Sequence, residues 1–186
     1  MPRAPKAGAR TGPEGPARKG AGSAGAAPRR GKPVVGIAYA STTDEPVMKE
    51  CARVLDQFGI GHELTMFSAH RQPEFTAEYA RSARKRGLKV LVAGAGMAAH
   101  LPGVLASLTT LPVIGVPLCG SAFEGNDALL SMVQMPSGVP VATVAVGKAG
   151  AKNAAVLAAQ ILALSDAAIG RKLEDLKRRM EAGQKL

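Results

Sequence analysis

The chain has 186 residues, 46% of them hydrophobic but only 3% aromatic, with no Trp. This is enough apolar material for one domain with a core of Ala, Val, Leu, Ile and Met, and too few rings for a flavin or nucleic-acid stacking platform. The formal charge of +10 sits mostly at one end: Arg3, Lys6, Arg10, Arg18, Lys19, Arg29, Arg30 and Lys32 against Glu14 alone make residues 1–33 +7 and leave +3 for the rest, which argues against a nucleic-acid partner for the body.

Residues 1–33 are rich in Gly, Ala, Pro, Arg and Lys and show no hydrophobic periodicity. Such a segment buries too little apolar surface to offset its ordering entropy, so it is expected to be a disordered basic tail. Its Gly/Pro-broken pattern suits a dispensable extension better than an amphipathic transit peptide or a polyanion-binding arm. It has no secretory h-region, and no apolar run approaches the ~20 residues of a membrane span. A catalytic α/β domain is placed at 34–166 and a C-terminal helix at 167–186.

The apolar run Val34 to Ala40 predicts a buried strand. Ser41-Thr42-Thr43-Asp44, with Pro46 behind it, marks a helix start; Met48, Cys51, Leu55 and Phe58 recur at helical spacing and Gly59 ends the helix. His62 to Phe67 is a second strand, followed by Ser68-Ala69-His70-Arg71. Pro73 opens a second helix with Phe75, Tyr79 and Ala83 toward the core, closed by Gly87. Lys89 to Ala95 is a third strand running into the Gly- and Ala-rich turn 94–103. Leu111 to Val116 is the fourth strand, 120–125 a loop, Asp127 to Met135 a helix stopped by Pro136, and Val139 to Val146 the fifth strand. An Ala-rich helix, Ala149 to Leu164, and a charged amphipathic helix, Asp166 to Gly183, complete the chain.

Five alternations of strand and helix predict a parallel sheet with helices on both faces, in a flavodoxin-like or Rossmann-like order. Ligands then bind beyond the carboxyl ends of the strands, at the switch in strand order. With strands 2, 1 and 3 adjacent, the loops 41–44, 68–71 and 94–103 line one cleft. The first offers hydroxyls at a helix N-terminus, a phosphate seat, with Asp44 available to ribose hydroxyls. The second pairs a histidine, the proton carrier of neutral pH, with an arginine fork for anions. In the third, Gly94 and Gly96 either let backbone amides approach a carboxylate or CO2, or allow close helix–strand packing. His62 is read as structural or exposed, and His100 as structural or supporting. Three histidines without clustered carboxylates make no metal site. Cys51 and Cys119 are read as reduced, buried, small hydrophobes of a cytosolic protein.

Together, Ser68-Ala69-His70-Arg71, GAGMAAHLPG at 94–103, SMVQMP at 131–136 and GKAGAKNAA at 147–155 resemble the bacterial class I N5-carboxyaminoimidazole ribonucleotide mutases of purine biosynthesis, from about Val34 to Leu164. The resemblance implies a flavodoxin-like three-layer αβα sandwich with a five-stranded parallel sheet, a cytoplasmic homo-octamer with sites at subunit interfaces, a small ribonucleotide substrate, and neither cofactor nor metal. It implies that His70 transfers the proton, that Arg71 and Ser41 bind the phosphate and Asp44 the ribose, with Thr43 and Ser68 also binding substrate, and that Gly94, Ala95, Gly96, His100 and Leu101 hold the migrating CO2 and carboxylate. The related direct carboxylases (class II) typically carry Lys at the position of Arg71, so the sequence sides with the mutases.

The departures cluster at the phosphate end. Ala40 and Thr43 stand where the family usually has Gly and Ser, Glu45 where an aromatic is common, and Met97 where Gly is common; the loop 119–125 is unusual. An Ala at 40 is expected to crowd a phosphate or to resist a positive φ. Two other readings remain open: a paralogue acting on a related azole nucleotide, and a non-catalytic phosphate- or nucleotide-binding module.

Overall fold

The structure is a computed structural model that describes residues 31–186, so the tail placed at 1–33 lies almost wholly outside the described residues. Among these, five strands, β1 (Val35–Tyr39), β2 (His62–Met66), β3 (Val90–Gly96), β4 (Val113–Leu118) and β5 (Ala142–Thr143), form one parallel sheet in the order β2-β1-β3-β4-β5. This is the flavodoxin-like order, with its switch point between β1 and β3. Helices α1 (Glu45–Phe58), α5 (Gly147–Ala163) and α6 (Ala167–Glu181) cover one face; α2 (Pro73–Arg86), α3 (Leu101–Leu108) and α4 (Asn126–Val133) lie on the other.

Local chemistry explains most boundaries. Pro46 and Pro73 sit in the first turns of α1 and α2, where a missing N–H costs nothing. Gly59 and Gly87 end them in the left-handed conformation, at φ 66° and 98°. Asp166 caps α6 by accepting from the amides of Ala168 and Ile169. Lys172 Nζ donates to the Phe58 carbonyl at 2.6 Å, placing a cation on the negative end of α1.

Several expectations are corrected. The fifth strand shrinks from Val139–Val146 to Ala142–Thr143, paired with Ile114 and Gly115. Gly138 turns the chain at φ 92° and Pro140 has no N–H for the ladder. The fourth strand runs on through Pro117 to Leu118; beyond Gly115 it has no β5 partner for that nitrogen to bond. On α2 the buried face is Thr76, Tyr79, Ala80 and Ala83, while Phe75 is 46% exposed and meets Phe67 only edge-on. Cys51 is fully buried but Cys119, just past β4, is exposed. The Ala face of α5 (Ala151, Ala154, Ala155, Ala158 and Ala159) is spent inside the chain, against α1 and the sheet.

Candidate active site

Three turns at the carboxyl ends of β1, β2 and β3 meet at the switch point, joined by a fourth from β4. After β1 the chain makes a turn closed by the Asp44 amide on the Ser41 carbonyl (3.1 Å), and the Ser41 and Thr43 hydroxyls touch at 2.6 Å. Asp44 stands at the N-cap of α1, but its side chain accepts no capping hydrogen bond. The residue is buried as a whole, and this burial pushes the carboxyl pKa up, while the neighbouring Ser41 side chain and the Ala40–Ser41 backbone pull the other way. Ala40 is not among the residues with positive φ, so its methyl brings no backbone strain; it simply lines the cavity wall.

After β2, residues 68–72 form a closed turn. The Gln72 amide donates to the Ser68 carbonyl at 2.8 Å, and the Ser68 amide donates to Gln72 Oε1 at 3.2 Å. The turn holds Ser68 inward and leaves His70 and Arg71 exposed. Arg71 reaches back to the Ala40 carbonyl at 3.4 Å, which keeps most of its guanidinium donors unengaged.

After β3, Met97 and Ala99 take left-handed conformations, at φ 55° and 45°, and the Ala99 amide closes on the Gly96 carbonyl at 3.0 Å. This turn delivers His100 to the start of α3. There, His70 Nε2 and His100 Nδ1 lie 2.7 Å apart with the rings edge-on at 4.8 Å. One of the two nitrogens must carry the proton and the other must be bare.

These turns enclose two cavities. The larger, about 410 Å³, is walled by Ser41, Thr43 and Asp44 on one side, by Ser68, His70 and Arg71 on another, and by Gly96 to Ala98 on the third. Cys119 and Gly120 complete it. The smaller, about 40 Å³, lies between Ser68, His70, Ala95, Gly96, His100 and Leu101. His70 borders both.

Of the residues singled out in the sequence, Ser41, Thr43, Asp44, Ser68, His70, Arg71 and Gly96 therefore share the larger cavity, and Ala95, His100 and Leu101 the smaller. Gly94 lines neither. A Cβ there would run into Met48 Sδ and lie 2.9 Å from Met48 Cγ and 3.1 Å from Leu118 Cδ1, so its smallness serves the packing of α1 on the sheet. Gly96 is different: it borders both cavities, and a Cβ added there would lie 3.1 Å from the Leu118 carbonyl oxygen. Met97 was not singled out within the loop 94–103 expected to line the cleft, and Cys119 and Gly120 were not expected there at all; the rule that sites lie beyond strand ends applies to β4 as much as to β1–β3 and would have found Cys119. His62 is buried, with Nδ1 3.1 Å from the Ile60 carbonyl, in the structural role expected of it. Among the described residues no three His, Cys, Asp or Glu side chains are grouped to hold a metal ion, and no helix is long and apolar enough to cross a membrane.

A sequence model of a family described as AIR carboxylase matches residues 34–183. The chain is 56% identical over 154 residues to the N5-carboxyaminoimidazole ribonucleotide mutase of Pyrococcus horikoshii, covering 81% of this chain and 86% of that protein. It is 56% identical over 144 residues to the mutase of Bacillus subtilis, covering 77% and 89%. Among solved structures, a crystal structure of Treponema denticola PurE superimposes with a TM-score of 0.74 at 28% identity, over 81% of this chain and 93% of that one.

Proposed function

We propose, from the premise that this chain belongs to the AIR carboxylase family, that it is an isomerase of purine biosynthesis. It converts N5-carboxyaminoimidazole ribonucleotide to 4-carboxy-5-aminoimidazole ribonucleotide. The observation that carries the reading is the position of His70, which borders both the nucleotide-sized cavity and the small one behind it.

The reaction exchanges a carboxylate on N5 and a proton on C4, so one acid/base group suffices. His70 gives a proton to N5 as the N5–carboxylate bond breaks and its electron pair returns to nitrogen. CO2 waits in the small cavity beside Ala95, Gly96, His100 and Leu101. C4 then attacks it, and the C4 proton returns to His70, which ends as it began. Because Nε2 of His70 is engaged with His100, Nδ1 is the atom left to exchange with substrate. Arg71 and the hydroxyls of Ser41 and Thr43, at the positive end of α1, hold the phosphate, and Asp44 accepts from the ribose.

The test is to mix the protein with N5-carboxyaminoimidazole ribonucleotide without ATP and follow absorbance of the C4-carboxylated product. Conversion is expected; none would sink the assignment. His70→Asn is expected to lower kcat by about 10²–10⁴-fold, and turnover left intact would remove His70 from the mechanism.

The homo-octamer implied by the resemblance belongs to the same proposal. It is supported by α4, which leaves Leu130 and Val133 61% and 53% exposed on a single chain. The SMVQMP segment, 131–136, overlaps that face, and its Ser131 and Met135 flank a cavity shared with His100. Light scattering after size exclusion is expected to give eight chains per particle, as the resemblance implies; a monomer would overturn it. A cytoplasmic location is part of the same reading.

A further inference from the structure

Three non-glycine residues have positive φ among the described residues, and two of them, Met97 and Ala99, fall in the turn that carries His100. This region crowds the Cβ of an L-residue, a cost that Gly does not bear. Ala99 is small, buried and tied to Gly96 by its amide. Met97 is not: its long side chain is 62% exposed, so little burial in the free protein offsets the strain.

Its location suggests what the side chain does. The 96–101 turn divides the two cavities, with His100 and Leu101 on the side of the small one and Met97 on the side of the large one. Among the described residues of one chain, every other apolar residue lining the larger cavity is an Ala, a Gly or Cys119, so Met97 is the only large apolar side chain there. The opposite walls, with Ser41, Thr43, Asp44 and Arg71, are polar. A thioether on three rotatable bonds can lie over a planar azole, and backbone strain of this kind clusters at ligand sites.

We propose that Met97 is the apolar cover of the substrate cavity, closing over the imidazole ring and retaining CO2 between its release from N5 and its capture by C4. This rests on the mutase reading above. When the N5–carboxylate bond breaks, the electron pair stays on nitrogen, which takes a proton. The CO2 has two fates: C4 captures it and gives its proton to His70, or it escapes, leaving aminoimidazole ribonucleotide behind. Cover and strain are separable, because Met97→Ala removes the side chain and keeps the strain, Met97→Gly removes both, and Met97→Leu keeps both.

The experiment is turnover of unlabelled substrate by the full chain in ¹³C-bicarbonate buffer, reading label in the C4-carboxylated product and the yield of decarboxylated by-product. Met97→Ala and Met97→Gly are each expected to raise label per turnover about tenfold over the parent, with Met97→Leu staying below both. Met97→Gly is also expected to melt about 2–4 °C above Met97→Ala. Parent-like label in Met97→Ala overturns the cover, and equal melting of the Ala and Gly variants overturns the strain on which it was inferred. A parent protein that makes no product overturns the mutase reading and this inference with it, whereas an active parent with a tight Met97→Ala overturns this inference alone.

Discussion

Gly94→Ala separates a glycine kept for packing from one kept for catalysis. The added methyl would collide with Met48 Sδ and press on Met48 Cγ and Leu118 Cδ1. Met48 is fully buried and Leu118 nearly so, so neither has open space to move into. Overpacking of this kind costs about 1–3 kcal/mol, and roughly 0.5–1 kcal/mol is returned because Ala loses less backbone freedom than Gly in a strand. The expected net loss is about 0–2.5 kcal/mol, centred near 1, or a fall in Tm of up to about 10 °C. KM and kcat should stay at parent values, since Gly94 touches neither cavity. Thermal melts and steady-state mutase kinetics on the same preparation read both. The paired variant with Met48→Ala should lose less than the sum of the two single losses, because the new methyl occupies part of the vacated volume. Unchanged stability with a clear fall in kcat/KM would refute this reasoning and restore a role for the Gly94 backbone at the substrate.

Three further outcomes follow from the site. Burial raises the Asp44 pKa above its ordinary 3.8, so between 3.8 and the raised value the folded chain holds a proton that the unfolded chain has released. Stability therefore falls as pH rises through that window, and the stability advantage of Asp44→Asn should grow over the same interval and level off above it, while KM rises; urea melts across the acid range check this, and a pH-independent difference would contradict it. Arg71→Lys keeps the charge but loses the fork, so KM should rise about tenfold to a hundredfold, the worth of one charge-assisted hydrogen bond; an unchanged KM would take Arg71 off the phosphate. The Cys51 thiol is buried and pushed up to about 12, whereas Cys119 is exposed on the cavity wall; intact-mass spectra should show a thiol reagent adding first at Cys119, more slowly with substrate present, and labelling of Cys51 in the folded protein would contradict the packing described.

The elements around the site were legible because their signals are local. Pro46, Pro73, Gly59 and Gly87 act through their own φ angles and N–H groups, and the strand–helix alternation they punctuate points to a parallel sheet, while leaving its flavodoxin-like order to be chosen from two. What was misread depends on partners far along the chain. Val139 to Val146 has the composition of a strand, but its pairing is limited to what β4 offers. Cys119 looks like any buried cysteine until the extra residues of β4 carry it past the end of the sheet. Gly94 and Gly96 are alike as letters, and only the positions of Met48 and Leu118 separate their tasks. The Ala-rich letters of 149–164 give a helix without saying what covers its small side chains, and only the fold shows α1 and the sheet there.

That last packing has a consequence for the order in which the chain matures. Every described residue that one chain gives to the larger cavity has been synthesised once Gly120 is made. Yet Met48, Cys51, Leu55 and Phe58, the buried face of the helix that presents Asp44, are covered by Ala151 to Leu162 of α5. A nascent chain halted in the loop after Gly120 thus owns its own share of the larger cavity's walls and none of the backing. At translation speeds of about 5–20 residues per second, it waits on the order of seconds before α5 can dock. Substrate affinity should appear late and abruptly, with the docking of a helix that contributes nothing to the lining of the larger cavity.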